Sequence, residues 1–363
     1  MPASLPHTNL HSTSNALTGD KCHVLWRRLA VCSIVMSACS PAVAPANGTP
    51  VESHPLHEES ADAQHPAWLG LFKPVMLRVA RDGTVWIADT DDNKIHVFDS
   101  TGTSLREIDG AKHVNFIVDF ALSDSSVIVL DSARHLSRFS LSGAVRPMAQ
   151  TAGYEQALAT LGKDRIVLAN SAQWTGKLPA GRSAWPLARV MSESGDSLYD
   201  IGHRIPQANR YAAHIDNFVM PSGSQDGRTI WLAYLNSPII AVYSTTDSSI
   251  RRVERPVPFA WRRMPPSFVP KGPKKGLPFD AVSLSIASDT TGHAYVLTAM
   301  APPVFNSVPG AVAVDMIDTN RARRVQRLTF SGSATHVAVS PAGTRIYLLD
   351  TYRKRVRVFL RPK

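Results

Sequence analysis

A segment of strand, turn and strand, DGTVWIADTDDNKIHVF from Asp82 to Phe98, returns along the chain and constrains its fold more than any other feature. Thr84 to Ala88 is rich in β-formers, Asp89 to Asn93 carries turn chemistry, and Lys94 to Phe98 alternates polar and apolar residues. Near the C-terminus AGTRIYLLDTYRKRVRVF runs from Ala342 to Phe359, and the nine-residue step from Asp89 to Phe98 recurs from Asp350 to Phe359. SSVIVLDSARHLSRF, from Ser125 to Phe139, repeats the shape. A single copy cannot bury its own apolar faces, so copies must stack against one another.

Six strand pairs follow Trp68, with no convincing amphipathic helix between them. They are Pro74 to Ala80 with Thr84 to Ala88, Phe116 to Leu122 with Val127 to Leu130, and Gln156 to Leu161 with Arg165 to Ala169. Phe218-Val219 with Thr229 to Ala233, Val282 to Ala287 with Ala294 to Leu297, and Thr335 to Val339 with Arg345 to Leu349 complete the set. The clearest joining turns are Arg81-Asp82-Gly83 and Pro341-Ala342-Gly343, where glycine supplies the positive φ. Residues 67–363 number 297, about 50 for each of six units, close to the ~40–50 of propeller repeats.

The stretch VARDGTVWIADTDDNKIHVFDSTG, Val79 to Gly102, resembles an NHL-type repeat. The whole resembles an NHL-like six-bladed β-propeller, all-β with four-stranded antiparallel blades, clearly in blades 1 and 6, fairly in blade 2, and only by strand pattern in blades 3 to 5. A seven-bladed ring is the alternative, because the middle repeats are widely spaced. The last blade shows no fourth strand before Lys363, and Trp68-Leu69-Gly70-Leu71-Phe72 is expected to supply it and close the ring.

Ahead of this domain, Arg27-Arg28 and the apolar run Leu29 to Val35 read as a secretory signal, too short to cross a membrane as a helix. Met36-Ser37-Ala38-Cys39 resembles the lipobox of bacterial lipoproteins, which implies lipidation at Cys39 and a place in the cell envelope, at the outer membrane facing the periplasm. Residues 1–38 are thus read as an N-terminal extension and signal peptide, 39–66 as a disordered tether, and 67–363 as the propeller. In the tether, His54, His57, Glu58, Glu59 and His65 read as solvated linker residues and not as a metal cluster. All three cysteines lie within the first 39 residues, so the domain has no disulfide and no cysteine-ligated metal.

The residues just after each second strand, Asp89, Asp131, Asn170, Tyr234, Thr298 and Asp350, are spaced 42, 39, 64, 64 and 52 apart, so the extra length falls between blades 3 and 6. It sits in Ser171 to Trp185, Gly202 to Asp216, Arg255 to Phe279 and Ala299 to Ala311. By the resemblance, these connections share one face of the disc, where function usually sits. The first three carry +9, while the chain beyond residue 38 carries +8 in all, so the basic character is concentrated there. Trp174, Arg204, Tyr211, His214, Trp261, Arg262, Arg263, Lys274 and Lys275 are the candidate partner-binding residues. Export argues against nucleic acid as the partner; an envelope protein or an anionic glycan or lipid fits better.

No G-x-S-x-G, H-E-x-x-H, P-loop or G-x-G-x-x-G motif occurs. Asp89-Thr90-Asp91-Asp92-Asn93 opens like a calcium loop, but Lys94 stands where glycine is required and Ser100 where glutamate is required, so it reads as an Asx turn. Six-bladed propellers also include metal-dependent lactonases and phosphotriesterase-like hydrolases, and Asp89, Asp131, Asn170 and Asp350 lie at equivalent blade positions. Their recurrence points to turn-fixing scaffold residues, and His203, His214 and His336 read as packed or surface histidines. The reading is a lipid-anchored binding module with no cofactor and no metal assigned; the alternative is a hydrolase with calcium or a similar ion in the channel.

Overall fold

The computed structural model describes residues 53–59, 68, 70–142, 144–150, 155–170, 186–205, 210–257, 259–263, 265, 280–301, 311–318, 320, 321 and 323–362. They open with two short strands, β1 (Ser53–Pro55) and β2 (His57–Glu58). Blade 1 is β3 (Pro74–Val79), β4 (Val85–Asp89), β5 (Lys94–Phe98) and β6 (Ser104–Asp109), and blade 2 is β7 (Ile117–Leu122), β8 (Ser126–Asp131), β9 (His135–Ser140) and β10 (Val145–Gln150). Blade 3 is β11 (Glu155–Leu161), β12 (Arg165–Asn170), β13 (Pro186–Ser192) and β14 (Ser197–His203). The short helix α1 (Arg210–Asp216) leads to blade 4, which is β15 (Val219–Gly223), β16 (Thr229–Tyr234), β17 (Ile239–Ser244) and β18 (Ile250–Glu254). Blade 5 is β19 (Ser283–Ser288), β20 (His293–Ala299), β21 (Val312–Asp318) and β22 (Arg323–Thr329), and blade 6 is β23 (His336–Val339), β24 (Arg345–Asp350) and β25 (Arg355–Leu360), completed by β2. The protein is a six-bladed β-propeller, and the seven-bladed alternative is excluded.

The sequence of the second strands explains the stacking. In β4 every residue of VWIAD is buried, because side chains alternate between the two neighbouring blades. Val85 and Ile87 pack toward Tyr347 and Leu349 of blade 6, whereas Trp86 and Ala88 pack toward Phe120, Val127 and Val129 of blade 2. The same alternation fills all six seams with a separate apolar cluster. Each fully buried Val, Leu or Ile contributes roughly 1.5–3 kcal/mol, so the ring rests on many equivalent seams. Gly83 and Gly343 take the positive φ expected of them, at 85° and 65°.

Ring closure differs from the sequence expectation. The fourth strand of blade 6 is β2, antiparallel to β25 through His57↔Leu360 and Glu58↔Phe359, and β1 adds a parallel fifth strand to blade 5. Residues 53–59, read from composition as tether, therefore staple blades 5 and 6. Leu56 sits between the two strands, donates its N–H to Thr329 O at 2.7 Å and joins the seam core. Glu58 takes Arg357 at 2.7 Å, and Glu59 takes Arg345 at 3.1 Å, so these carboxylates are ion-pair partners rather than linker charges. Trp68, expected in the closing strand, is instead a buried plug against Phe98, with ring centroids 5.1 Å apart, in the seam between blades 6 and 1.

Register fixes which connections share a face. The first residue of each inner strand pairs with the end of the second strand, as in Pro74↔Asp89, Ile117↔Asp131, Val219↔Tyr234 and Ser283↔Thr298. The connection from second to third strand and the connection entering the next blade therefore emerge together, and the strand ends that flank all four long segments are found there. We call this the insertion face and the opposite one, made of tight turns between first and second strands, the hairpin face.

Candidate functional site

On the insertion face, the recurring aspartates fix turns. Asp89 accepts N–H bonds from Phe72 (2.6 Å), Lys73 (2.8 Å) and Asp91 (3.1 Å). Asp131 accepts from Asn115 (3.0 Å) and His135 (2.8 Å), and Asp350 from Tyr352 (3.1 Å) and Arg353 (3.0 Å). Each joins the entrance of its blade to the following turn. Asp89, Asp92 and His96 bring ligand atoms within 4.8 Å of one another, but Asp92 Oδ2 faces His96 Nε2 at 2.9 Å and Asp89 is occupied by the backbone. This group knits the turn of blade 1.

The candidate partner-binding residues divide. Trp174, Lys274, Lys275 and Cys39 lie outside the described residues, and Tyr211 is placed on α1 by its backbone alone. Arg204 is half-buried. His214 is buried edge-on against Phe218, with ring centroids 6.2 Å apart, so it belongs to the packing of α1 and not to the outer surface. Trp261 is also buried, in a small core with Val257 and Val282. Arg262 is claimed by Asp280, which accepts its backbone N–H at 2.8 Å and its Nη2 at 2.9 Å. Arg263 is exposed, and its guanidinium lies 4.8 Å from the Trp261 ring centroid. The structure thus brings together Trp261, Arg262 and Arg263 as one anchored corner.

The positive tally of the 255–279 segment needs correction as well. Arg255, counted as loop charge, is 1% exposed and lies in the seam between blades 4 and 5. Its Nη1 reaches Asp315 Oδ2 at 3.0 Å, and Asp315 also takes Arg327 at 2.7 Å and Arg324 at 3.5 Å. Burial works to raise the Asp315 carboxyl, but the three guanidiniums outweigh it and hold it below its ordinary range. Arg255 and Arg262 are both structural, which leaves Arg263 as the exposed described cation of this segment.

The central channel holds Arg78 and Asp119, which the sequence reading did not single out, and beside them His336, which it took for a packed or surface histidine. Arg78 of β3 crosses two seams: Nη2 bonds Asp119 of β7 at 3.0 Å and Leu158 O of β11 at 2.6 Å, while Nε bonds Phe120 O at 3.2 Å. Asp119 is fully buried and also accepts the N–H groups of Phe120 (2.7 Å) and Leu158 (2.8 Å). Burial pushes its carboxyl up, against the pull of Arg78 and these donors. His336 of β23 is half-buried; desolvation by the enclosing walls and then the nearby Arg78 push its imidazole down to about 4, so it is neutral at pH 7. The signal was present: PVMLRV and IVDFAL each place one charge inside an otherwise apolar inner strand.

No family model and no curated protein matches the sequence. Among solved structures, the chain is similar to one described as a streptogramin B lyase structure, at 11% identity and a TM-score of 0.48, covering 81% of this chain and 86% of that one. The fold assignment stands on the sheet topology above.

Proposed function

We propose that the protein is a binding module of the bacterial cell envelope, held by lipid on Cys39 at the outer membrane facing the periplasm, and that its insertion face engages an anionic macromolecular partner. The observation that carries this reading is the one-sidedness of the disc. The long connections of three consecutive blades leave the same face, and at their root Trp261 is packed down, Arg262 is clasped to Asp280 and Arg263 is held outward. A rigid scaffold presenting basic loops on one face is suited to recognition. Of the blade positions that the hydrolase alternative would use, Asp89, Asp131 and Asp350 are engaged by backbone N–H groups, and the side chain of Asn170 lies outside the described residues.

The test is co-sedimentation of the protein with vesicles bearing anionic phospholipid, and with an anionic envelope glycan, at low and high salt. Replacing Arg263, Lys274 and Lys275 together by alanine removes three charges worth about 1 kcal/mol each near an anionic surface, so affinity should fall roughly 100-fold. Binding that ignores both the triple substitution and the salt would overturn the reading.

A further inference from the structure

Under the hairpin face, at the end of the channel away from the insertion loops, the inner strands enclose a cavity of about 420 Å³. This lies within the ~300–1,000 Å³ usual for small-ligand pockets. Its charged lining is committed at every position but one. Arg81 donates from Nη2 to Gln225 O of blade 4 at 2.6 Å, on the opposite side of the ring, and pairs with Asp124 at 3.1 Å, so it bridges the mouth. Asp82 accepts the Thr84 N–H at 2.9 Å, and Arg106 donates to Leu141 O at 2.7 Å while lying over the Trp86 ring.

Arg78 is different. Its Nε and Nη2 are used on blades 2 and 3, and its Nη1 has no bond among the described residues although Arg78 borders the cavity. Across the lumen, Ser222 Oγ donates to Ser288 Oγ at 3.0 Å, which donates on to Gly223 O at 3.1 Å, and both serines border the cavity with acceptor capacity to spare for a ligand's hydroxyl. Two free N–H groups on a guanidinium that its neighbours hold rigid are suited to an oxygen anion. Arg78, Arg81 and Arg106 are balanced by Asp82, Asp119 and Asp124, so the enclosure favours a singly charged carboxylate over a phosphate dianion.

We propose that this cavity binds a small organic carboxylate, anchored by Arg78 Nη1 beneath the Arg81–Gln225 bridge. The site is separate from the insertion face and does not depend on the function proposed for it. The experiment is calorimetric titration of the full-length protein with acetate, lactate and pyruvate, and with inorganic phosphate at matched ionic strength. At least one carboxylate should saturate at one per chain below roughly 10 mM, the range of weak single-anchor binding, while phosphate should not. Arg78→Lys, which keeps the charge but loses the fork, should weaken binding at least about tenfold, and Lys112→Ala on the exposed surface should leave it unchanged. Should Arg78→Lys fail to fold, Arg81→Ala, which opens the bridge alone, should speed release of the carboxylate several-fold. No saturable carboxylate, equal binding to folded Arg78→Lys, or release unaffected by Arg81→Ala would each overturn the proposal.

Discussion

Two buried arginine–aspartate networks cross the seams of this propeller, and their compositions differ. In the channel, Arg78 answers Asp119 one for one and remains 18% exposed along its side chain. Between blades 4 and 5, Asp315 answers three arginines, of which Arg255 has no exposed side chain and Arg324 and Arg327 very little. The excess charge there is met by neutral acceptors: Pro256 O takes Arg327 at 3.0 Å, and the hydroxyls of Thr298 and Ser283 take Arg255. Even so, the Nε atoms of Arg255 and Arg324 are buried without a partner among the described residues. A balanced pair that keeps part of its surface exposed can leave one nitrogen available for a ligand; a sealed, unbalanced cluster has no such freedom. Its position gives its use. Arg255 follows β18 directly, so the network pins the root of the basic segment that runs to Asp280.

The comparison breaks first at Asp315. Asp315→Asn should cost about 3–5 kcal/mol in chemical denaturation, since it strands three buried cations. Asp119→Asn should cost less, about 1–3 kcal/mol, because Arg78 keeps part of its side chain exposed and two backbone donors keep an acceptor. A loss at Asp119 equal to that at Asp315 would remove the distinction between a partly exposed and a sealed network.

Acid should act through the channel. The folded pKa of His336 is about 4, below the ordinary 6.5, so between those values the unfolded chain binds the extra proton. Stability contributed by neutral His336 is complete above pH 6.5 and is lost as pH falls toward 4. Over that window the expected loss is roughly 3 kcal/mol, and His336→Gln should flatten that part of the stability profile. The smallest effect is expected at Arg324, whose Nη1 contacts are long at 3.4 and 3.5 Å. Arg324→Met should change the denaturation midpoint by the equivalent of about 1 kcal/mol or less, toward either sign, because it removes surplus charge along with weak bonds. A large loss there would show that the third arginine is needed.

Much of the blade pattern was legible in the sequence. Pro74 to Ala80 with Thr84 to Ala88 became β3 and β4 within a residue or so at each end, and the pairs of blades 2, 3, 5 and 6 matched as closely. In blade 4 the inner strand was seen only as Phe218-Val219, because Pro221, Ser222 and Gly223 of β15 carry no β signature; its pairing with β16 supplies the strand. The candidate site was less legible. Trp261 and His214 looked like surface aromatic and basic residues, and both are buried by partners that local spacing does not reveal. Arg262 looked free, and its partner Asp280 lies eighteen residues on.

By itself the sequence determined the strands and turns of the blades, because alternation and glycine turns act over a few residues and are written in consecutive positions. Only the tertiary structure decided how the ring closes and where the charge resides. Glu58 meets Arg357 across 299 positions, Arg78 meets Leu158 across 80, and Arg255 meets Asp315 across 60. A charged side chain carries no local mark of its partner, and whether it is a surface cation or a buried tie depends on what the closed ring places beside it.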